Sequence, residues 1–167
     1  MVCGAGSVFV LAIYDPGAEP TGTTPAEGVR LNFLLDTNAC IAVINGRPQS
    51  VRGRLQKALA AGASVFVPSV VLFELWYGVA KSARPEINQQ RLEAFLAGPL
   101  NLLAFDQQDA RAAGELRATL EAAGKPIGAY DLLIAGQALR HTLTLITANV
   151  AEFARVEGLL WQDWGKP

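Results

Sequence analysis

The sequence predicts an α/β fold, a three-layer α/β/α arrangement with helices on both faces of a central, mainly parallel sheet. Two observations lead to this prediction: four short apolar runs, and helical patterns in the gaps between them. Strands buried on both faces form continuous apolar runs, whereas strands with one solvated face alternate apolar and polar residues. With 51% hydrophobic residues in 167, the chain can bury the core of one domain.

Each predicted strand is a run of four or five mostly apolar residues, followed by a polar residue or a proline. Asp36 follows the first run, Pro68 the second, Asp106 the third and Thr147 the fourth. The four predicted strands are 31–35, 64–67, 102–105 and 143–146.

The predicted helices fill the segments between these strands and have recognisable ends. Ser69 and Asp106 are residues that cap helix N-termini, Pro85 suits a first turn, and Gly124 suits a C-terminus. The predicted helices are 39–45, 50–61, 69–82, 85–98, 107–123 and 130–140.

Residues 1–30 differ from the rest of the chain, because prolines, glycines and threonines follow one apolar stretch. We expect them to form a poorly ordered extension, and residues 31–167 to form the folded domain. No Lys or Arg precedes the apolar stretch, which disfavours a signal peptide. A translation start near Val29 is an alternative.

Composition excludes several functional classes. Only 17% of residues are charged, which excludes a disordered polyampholyte, and no apolar run approaches the roughly 18 residues of a membrane span. The two cysteines, Cys3 and Cys40, lack zinc-type spacing and predict free thiols in the cytoplasm. A single histidine, His141, excludes an imidazole cluster, and we expect it to be structural.

Three carboxylates lie at positions where burial or strand ends make them candidates for a functional site. Asp36 ends the first strand, where ligands of such folds gather, although it could also cap the next helix. Glu74 lies in a helix that is apolar nearly all round and therefore predicted to be buried, where an unpaired charge is costly. Asp131 lies in the first turn of an apolar helix, a favourable position on dipole grounds alone. Gly78, one turn after Glu74, suggests close packing, with access for a ligand as the second interpretation.

Converging carboxylates repel each other unless a cation joins them. A set of oxygen ligands without His or Cys favours Mg²⁺ or Mn²⁺, which activate water and bind phosphate oxygens. Asn149, after the fourth strand, could contribute a neutral ligand or cap the next helix. Glu152 is a weaker accessory candidate, for which surface exposure is the simpler expectation.

These residues resemble the motifs of PIN-domain ribonucleases, specifically the VapC toxins of bacterial toxin–antitoxin pairs. The resemblance runs in order from about Leu31 to Trp164. Its motifs are FLLDTN at 33–38, FELWYGV at 73–79, PIGAYDLLIA at 126–135, TAN at 147–149, EFARV at 152–156 and WQDW at 161–164.

The resemblance implies a small endoribonuclease that needs Mg²⁺ or Mn²⁺ and hydrolyses RNA by in-line attack of water, leaving a 5′-phosphate and a 3′-hydroxyl. Asp36, Glu74 and Asp131 would be the catalytic residues and metal ligands, directly or through water. It also implies a homodimer silenced by an antitoxin protein whose tail covers the site. Many family members have a fourth acid where this chain has Asn149, so a second metal ion is in doubt. The accessory residues are Thr37, Asn38, Asn149 and Glu152.

Two other functions remain open. An aspartyl-phosphate phosphotransfer protein could use Asp36 as nucleophile, although such proteins usually have a second acid where this chain has Asn38. A PIN-like fold could also be a non-catalytic RNA- or protein-binding module, which the three intact acids disfavour.

The net charge of −1 argues weakly against nucleic-acid binding, but its distribution weakens that objection. Four cations lie between Thr37 and Phe73, where no acid occurs. They predict either a solvated helix face or a rim that contacts RNA phosphates. These candidate RNA-contacting residues are Arg47, Arg52, Arg54 and Lys57.

Overall fold

The structure, a computed structural model, describes residues 32–166, and the predicted extension at 1–30 lies outside this range. The described chain alternates strands and helices as predicted. Its strands are β1 (Phe33–Leu35), β2 (Val65–Pro68), β3 (Asn101–Leu103), β4 (Thr144–Ile146) and β5 (Trp161–Gln162). Its helices are α1 (Thr37–Asn45), α2 (Gln49–Ala60), α3 (Ser69–Lys81), α4 (Pro85–Leu96), α5 (Gln107–Ala122), α6 (Ala129–Arg140) and α7 (Val150–Phe153).

The five strands of the described range form one parallel sheet in the order β3-β2-β1-β4-β5. Strand β1 is central, pairing Leu34 with Phe66 of β2 and with Leu145 of β4. Strands β2 and β3 lie on one side of β1, and the chain then crosses to the other side to form β4 and β5. Ligands of open parallel sheets bind beyond the carboxyl ends of the strands where the order reverses, which here is the β1–β4 junction.

The core lies on both faces of this sheet, as the apolar runs predict. Leu34, Leu35, Val65, Val67 and Leu145 are fully buried. Within the described residues, no helix is long and apolar enough to cross a membrane.

Strand β5 was not predicted, because it contains two exposed residues, Trp161 and Gln162. It joins the sheet through backbone pairing with β4. The neighbouring Trp164 is buried and packs edge-to-face on Phe33 at 5.2 Å between ring centroids. A two-residue edge strand held by backbone bonds leaves no apolar run in the sequence.

Two expectations about α3 were wrong. The helix is not buried all round, since Val71 and Leu75 face the core while Phe73 and Tyr77 are more than half exposed. Gly78 is exposed and a Cβ there would meet nothing within 4 Å, so it does not serve close packing within this chain. An apolar helix at the surface has the same residue pattern as a buried one.

Of the two predicted helix N-caps, Asp106 is confirmed and Ser69 is wrong. Ser69 does not cap α3; its hydroxyl instead accepts a hydrogen bond of 3.1 Å from the N–H of Phe105. Asp106 caps α5 as predicted, in a reciprocal capping box with Asp109. His141 lies 3.1 Å from the buried Asp109 carboxylate, at the far end of α6 from Asp131, in agreement with the expected structural role.

Candidate active site

Asp36 is the most buried of the three candidate acids and lies at the β1–β4 junction. Its side chain is both the N-cap of α1 and a partner of β4: Oδ1 accepts from the N–H of Ala39 at 2.6 Å, and Oδ2 accepts from the hydroxyl of Thr147 at 2.5 Å. The residue is 3% exposed. The capping and functional interpretations of Asp36 are therefore compatible with each other.

Burial raises the pKa of Asp36 to about 6. The hydrogen bonds from Thr147 and Ala39 partly offset this effect, while the charges of Asp131 and Glu74 raise the pKa further. Because these charges repel one another, the carboxylates at the end of β1, on α3 and on α6 share one electrostatic environment.

Asp131 is the third residue of α6 and is partly buried. Burial raises the pKa of its carboxyl group, and the charges of Glu152 and Glu74 raise it further. The side-chain amide of Asn149 donates to Asp131 Oδ2 at 3.1 Å and opposes this shift. Asp131 thus has one fixed hydrogen-bond partner and two negative neighbours.

Glu74 is partly buried rather than fully buried as predicted. Its Oε2 accepts a hydrogen bond from the hydroxyl of Thr37, which is the first residue of α1. Thr37 therefore orients the carboxylate of α3 toward the end of β1. The exposed turns of α3 relieve the desolvation penalty that a fully buried Glu74 would bear.

Asn149 and Glu152, two further accessory residues, are each held by a hydrogen bond near the site. Asn149 occupies the N-cap position of α7 without capping it, since its amide instead binds Asp131. Glu152 is partly buried, not the surface residue expected, and its Oε2 accepts from the N–H of Gly128 at 3.1 Å. Asn38 is exposed on α1 and takes no part in this hydrogen-bond network of the described residues.

Thr147 is a site residue that the sequence analysis did not single out. Its hydroxyl donates to Asp36 and accepts from the N–H of Asn149 at 2.8 Å, and its side chain is buried. The available signal was its position directly after an apolar strand, at the same sheet edge as Asp36.

The donor set of this cluster fits a hard divalent cation. Asp36, Glu74 and Asp131 offer only oxygen, and the raised pKa values of the two aspartates show carboxylates in need of a compensating charge. Within residues 32–166, no three His, Cys, Asp or Glu side chains are close enough to form a complete metal-ligand group. The carboxylate oxygens are thus the donor type that Mg²⁺ prefers, but their spacing in this structure does not form a closed ligand group.

The predicted basic rim is partly used for packing. Arg52 donates to the carbonyl of Val43 at the end of α1 at 2.7 Å, and Arg54 donates to the carbonyl of Lys166 at 2.9 Å. Arg47 and Lys57 are exposed. RNA contact by these residues remains a prediction, for which Arg47 and Lys57 are the better candidates.

Comparison with known proteins gives consistent matches. The family model of the PIN domain matches residues 33–159. The ribonuclease VapC2 of Rickettsia felis is 41% identical over 134 residues, covering 80% of this chain and 98% of that protein. The tRNA(fMet)-specific endonuclease VapC of Shigella flexneri is 42% identical with the same coverage.

A solved structure agrees with this result. The crystal structure of VapBC2 from Rickettsia felis bound to a promoter DNA fragment contains a chain that is 40% identical. It superposes with a TM-score of 0.75 over 80% of this chain and 99% of that chain. The predicted α/β/α fold with a parallel sheet is confirmed.

Proposed function

This chain belongs to the PIN-domain family and is an endoribonuclease of the VapC toxin type, and from this premise we propose that it cleaves RNA with a divalent metal ion held by Asp36, Glu74 and Asp131. The observation that carries the proposal is the buried Asp36, whose pKa is raised to about 6 beside two further carboxylates. A buried carboxylate of this kind destabilises the fold, and a bound cation would offset that free-energy cost.

Each residue of the site has a separate task in this proposal. Asp36 and Asp131 would hold the ion, and Glu74, oriented by Thr37, would hold it directly or through water. Mg²⁺ or Mn²⁺, when bound, polarises a phosphodiester and lowers the pKa of water. Asn149 keeps Asp131 in place through a neutral hydrogen bond that adds no charge to an already acidic site.

The substrate class we propose is tRNA. Its support is the Shigella flexneri relative, whose name specifies tRNA(fMet) and which is 42% identical over 134 residues. The exposed Arg47 and Lys57 are cations suited to phosphate contacts.

We also propose a cognate antitoxin and a second copy of this chain as partners, acting in the cytoplasm. Support for an antitoxin comes from the similarity to a chain solved in a VapBC complex. Exposed aromatic residues on α3, among them Phe73, Trp76 and Tyr77, are typical of a protein interface and support an assembly. Light scattering of the purified chain, alone and with its antitoxin, measures both associations.

The aspartyl-phosphate alternative has little support. Such proteins usually have a second acid where this chain has Asn38, and Asn38 is exposed and outside the site's hydrogen-bond network in the described residues. A non-catalytic module would not need to maintain three mutually repelling acids.

The test is cleavage of tRNA by the purified protein with Mg²⁺ or Mn²⁺. We expect wild-type cleavage to disappear in EDTA and in the variants Asp36→Ala and Asp131→Ala, with circular dichroism confirming that both fold. The control is Glu115→Ala, which removes an exposed carboxylate on α5 that pairs with Arg111. Wild-type cleavage by either aspartate variant would contradict the site assignment.

A further inference from the structure

The connection between α5 and α6 is held by two side chains from the end of the chain. Glu152 of α7 accepts a hydrogen bond at Oε2 from the N–H of Gly128, at 3.1 Å. Arg155, just beyond α7, donates from Nη1 to the carbonyl of Pro126 at 2.8 Å. These contacts fix both the start and the end of the Pro126–Gly128 segment.

Buried side chains anchor the segment that carries Glu152 and Arg155. Phe153 is fully buried and Val156 is 4% exposed, so the segment carrying Glu152 and Arg155 is anchored in the core. Since buried side chains pack at near-crystalline density, an element anchored in this way provides a fixed reference point.

The segment held in this way leads directly into the active site. Gly128 is the N-cap of α6 and provides no side chain of its own to cap the helix. Asp131 lies in the first turn that follows, and a Cβ on Gly128 would come within 3.0 Å of Asp131 Oδ2. Gly128 therefore lies close to the Asp131 carboxylate, and its carbonyl accepts the first backbone hydrogen bond of α6, from Leu132 at 2.8 Å.

We infer that Glu152 and Arg155 are positioning residues, which together set the place of Asp131 by holding the Pro126–Gly128 segment. In this role Glu152 acts through its hydrogen bond to the backbone N–H of Gly128. The inference rests on the proposed function, since it assigns a role toward the same site.

The charges of the two residues are consistent with this role. Arg155 Nη1 lies 3.8 Å from Glu152 Oε1, while Glu152 Oε2 is occupied by Gly128. Both carboxylate oxygens of Glu152 therefore face protein groups. The side chains are 29% and 42% exposed, and ion pairs with such exposure contribute little to global stability, so positioning and folding can be measured separately.

The first experiment uses Arg155→Ala, Arg155→Lys and a control, Arg111→Ala, which removes an arginine of an exposed pair on α5. Amide hydrogen exchange of the full-length protein is the readout that does not depend on activity. We expect Arg155→Ala to accelerate exchange at Gly128 about tenfold, with core strands unchanged, and Arg155→Lys to restore part of the protection. Equal exchange in Arg155→Ala and Arg111→Ala would overturn the inference.

Kinetics and metal binding complete the test. Arg155→Ala should lower kcat for RNA cleavage about tenfold while changing KM less than about twofold, because substrate contacts remain and Asp131 is misplaced. Glu152→Gln keeps an acceptor oxygen for Gly128 and should bind Mn²⁺, measured by calorimetry, more tightly than Glu152→Ala. Since both Glu152 variants remove the same negative charge, equal Mn²⁺ affinities of the two would show that the hydrogen bond to Gly128 does not position Asp131 and would overturn the assigned role.

The two proposals fail in distinguishable ways. If the wild-type protein cleaves no RNA, the proposed function is wrong, while the hydrogen-exchange comparison still decides whether Glu152 and Arg155 hold the segment.

Discussion

The hydroxyl of Thr147 donates a hydrogen bond of 2.5 Å to Asp36 Oδ2, joining the carboxyl ends of β4 and β1. The same hydroxyl accepts from the N–H of Asn149, whose amide in turn binds Asp131. A continuous chain of hydrogen bonds therefore connects the two aspartates of the site. The position of each carboxylate depends on the sheet as well as on its own helix.

Replacing Thr147 with Val should raise the pKa of Asp36 above its wild-type value of about 6, because the hydroxyl bond stabilises the charged carboxylate. Valine preserves the volume of the buried side chain. The measurement is a carbon-13 NMR titration of the Asp36 carboxyl group in metal-free protein. An unchanged titration midpoint would mean that the hydroxyl does not stabilise the ionised form.

Asp36→Asn should stabilise the metal-free protein at neutral pH. The pKa of Asp36 is raised from its ordinary value of 3.8 to about 6 in the fold, so the folded state binds more protons than the unfolded state between these values. Stability therefore falls as pH rises through this window, and the penalty is fully present above it. We expect a gain of about 3 kcal/mol at about pH 7.5, disappearing near pH 4.

Urea denaturation of both proteins in EDTA, at the two pH values, measures this difference. A gain that is the same at both pH values would indicate a packing effect and contradict the electrostatic explanation.

Mg²⁺ or Mn²⁺ should raise the melting temperature of the wild-type protein and have much less effect on Asp36→Asn. A ligand that binds only the folded state stabilises it, by about 2.7 kcal/mol at a concentration one hundred times Kd. Thermal scans over a series of metal concentrations provide the measurement, with Ca²⁺ as a comparison. Equal stabilisation of wild type and variant would place the ion elsewhere.

Gly136→Ala should destabilise the protein by about 3 kcal/mol. Gly136 is buried in α6, and a Cβ there would lie 2.8 Å from the backbone of Ala113 in α5, so the two helices would have to separate. Gly114→Ala is the matched control, since its Cβ would meet nothing within 4 Å and alanine favours a helix by roughly 1 kcal/mol. Urea denaturation should give opposite signs for the two variants, and the same sign would contradict the packing argument.

Asp109→Ala should destabilise the fold by about 3 kcal/mol without weakening metal binding. The Asp109 carboxylate is fully buried and accepts from Arg140 at 2.6 Å and from Gln137 at 2.8 Å. Removing it leaves buried donors without an acceptor. Denaturation and Mn²⁺ calorimetry separate the two effects, and a loss of Mn²⁺ affinity comparable to that of Asp131→Ala would contradict a purely structural role.

Much of the fold could be predicted because its signals are local. The runs that form β1, β2 and β4 are apolar since they are buried on both faces, and Asp106 caps α5 through contacts within one turn. Strand β5 could not be predicted, because backbone pairing with β4 leaves no side-chain pattern. The exposure of α3 also depends on tertiary contacts, which periodicity does not report.

The sequence predicts three candidate acids for the site but not the hydrogen bonds that connect them. Asp36, Glu74 and Asp131 stand out because acids are rare in apolar segments. The hydroxyl bonds from Thr37 and Thr147 were not predictable, since each joins residues far apart in the chain. Likewise, the contacts from Glu152 and Arg155 to the Pro126–Gly128 segment depend on how α7 packs beside α6.

The order of the elements along the chain has a consequence for synthesis. Asp36 directly follows β1 and is translated early, but strand β4, the Thr147 that follows it and the hydrogen-bonding Asn149 are translated only after α6. A ribosome that has passed α3 has already produced Asp36 and Glu74, yet the nascent chain still lacks Asp131 and the strand that completes the junction. The proposed site is therefore complete only after β4 and Asn149 have been synthesised, and copies truncated before α6 lack part of it.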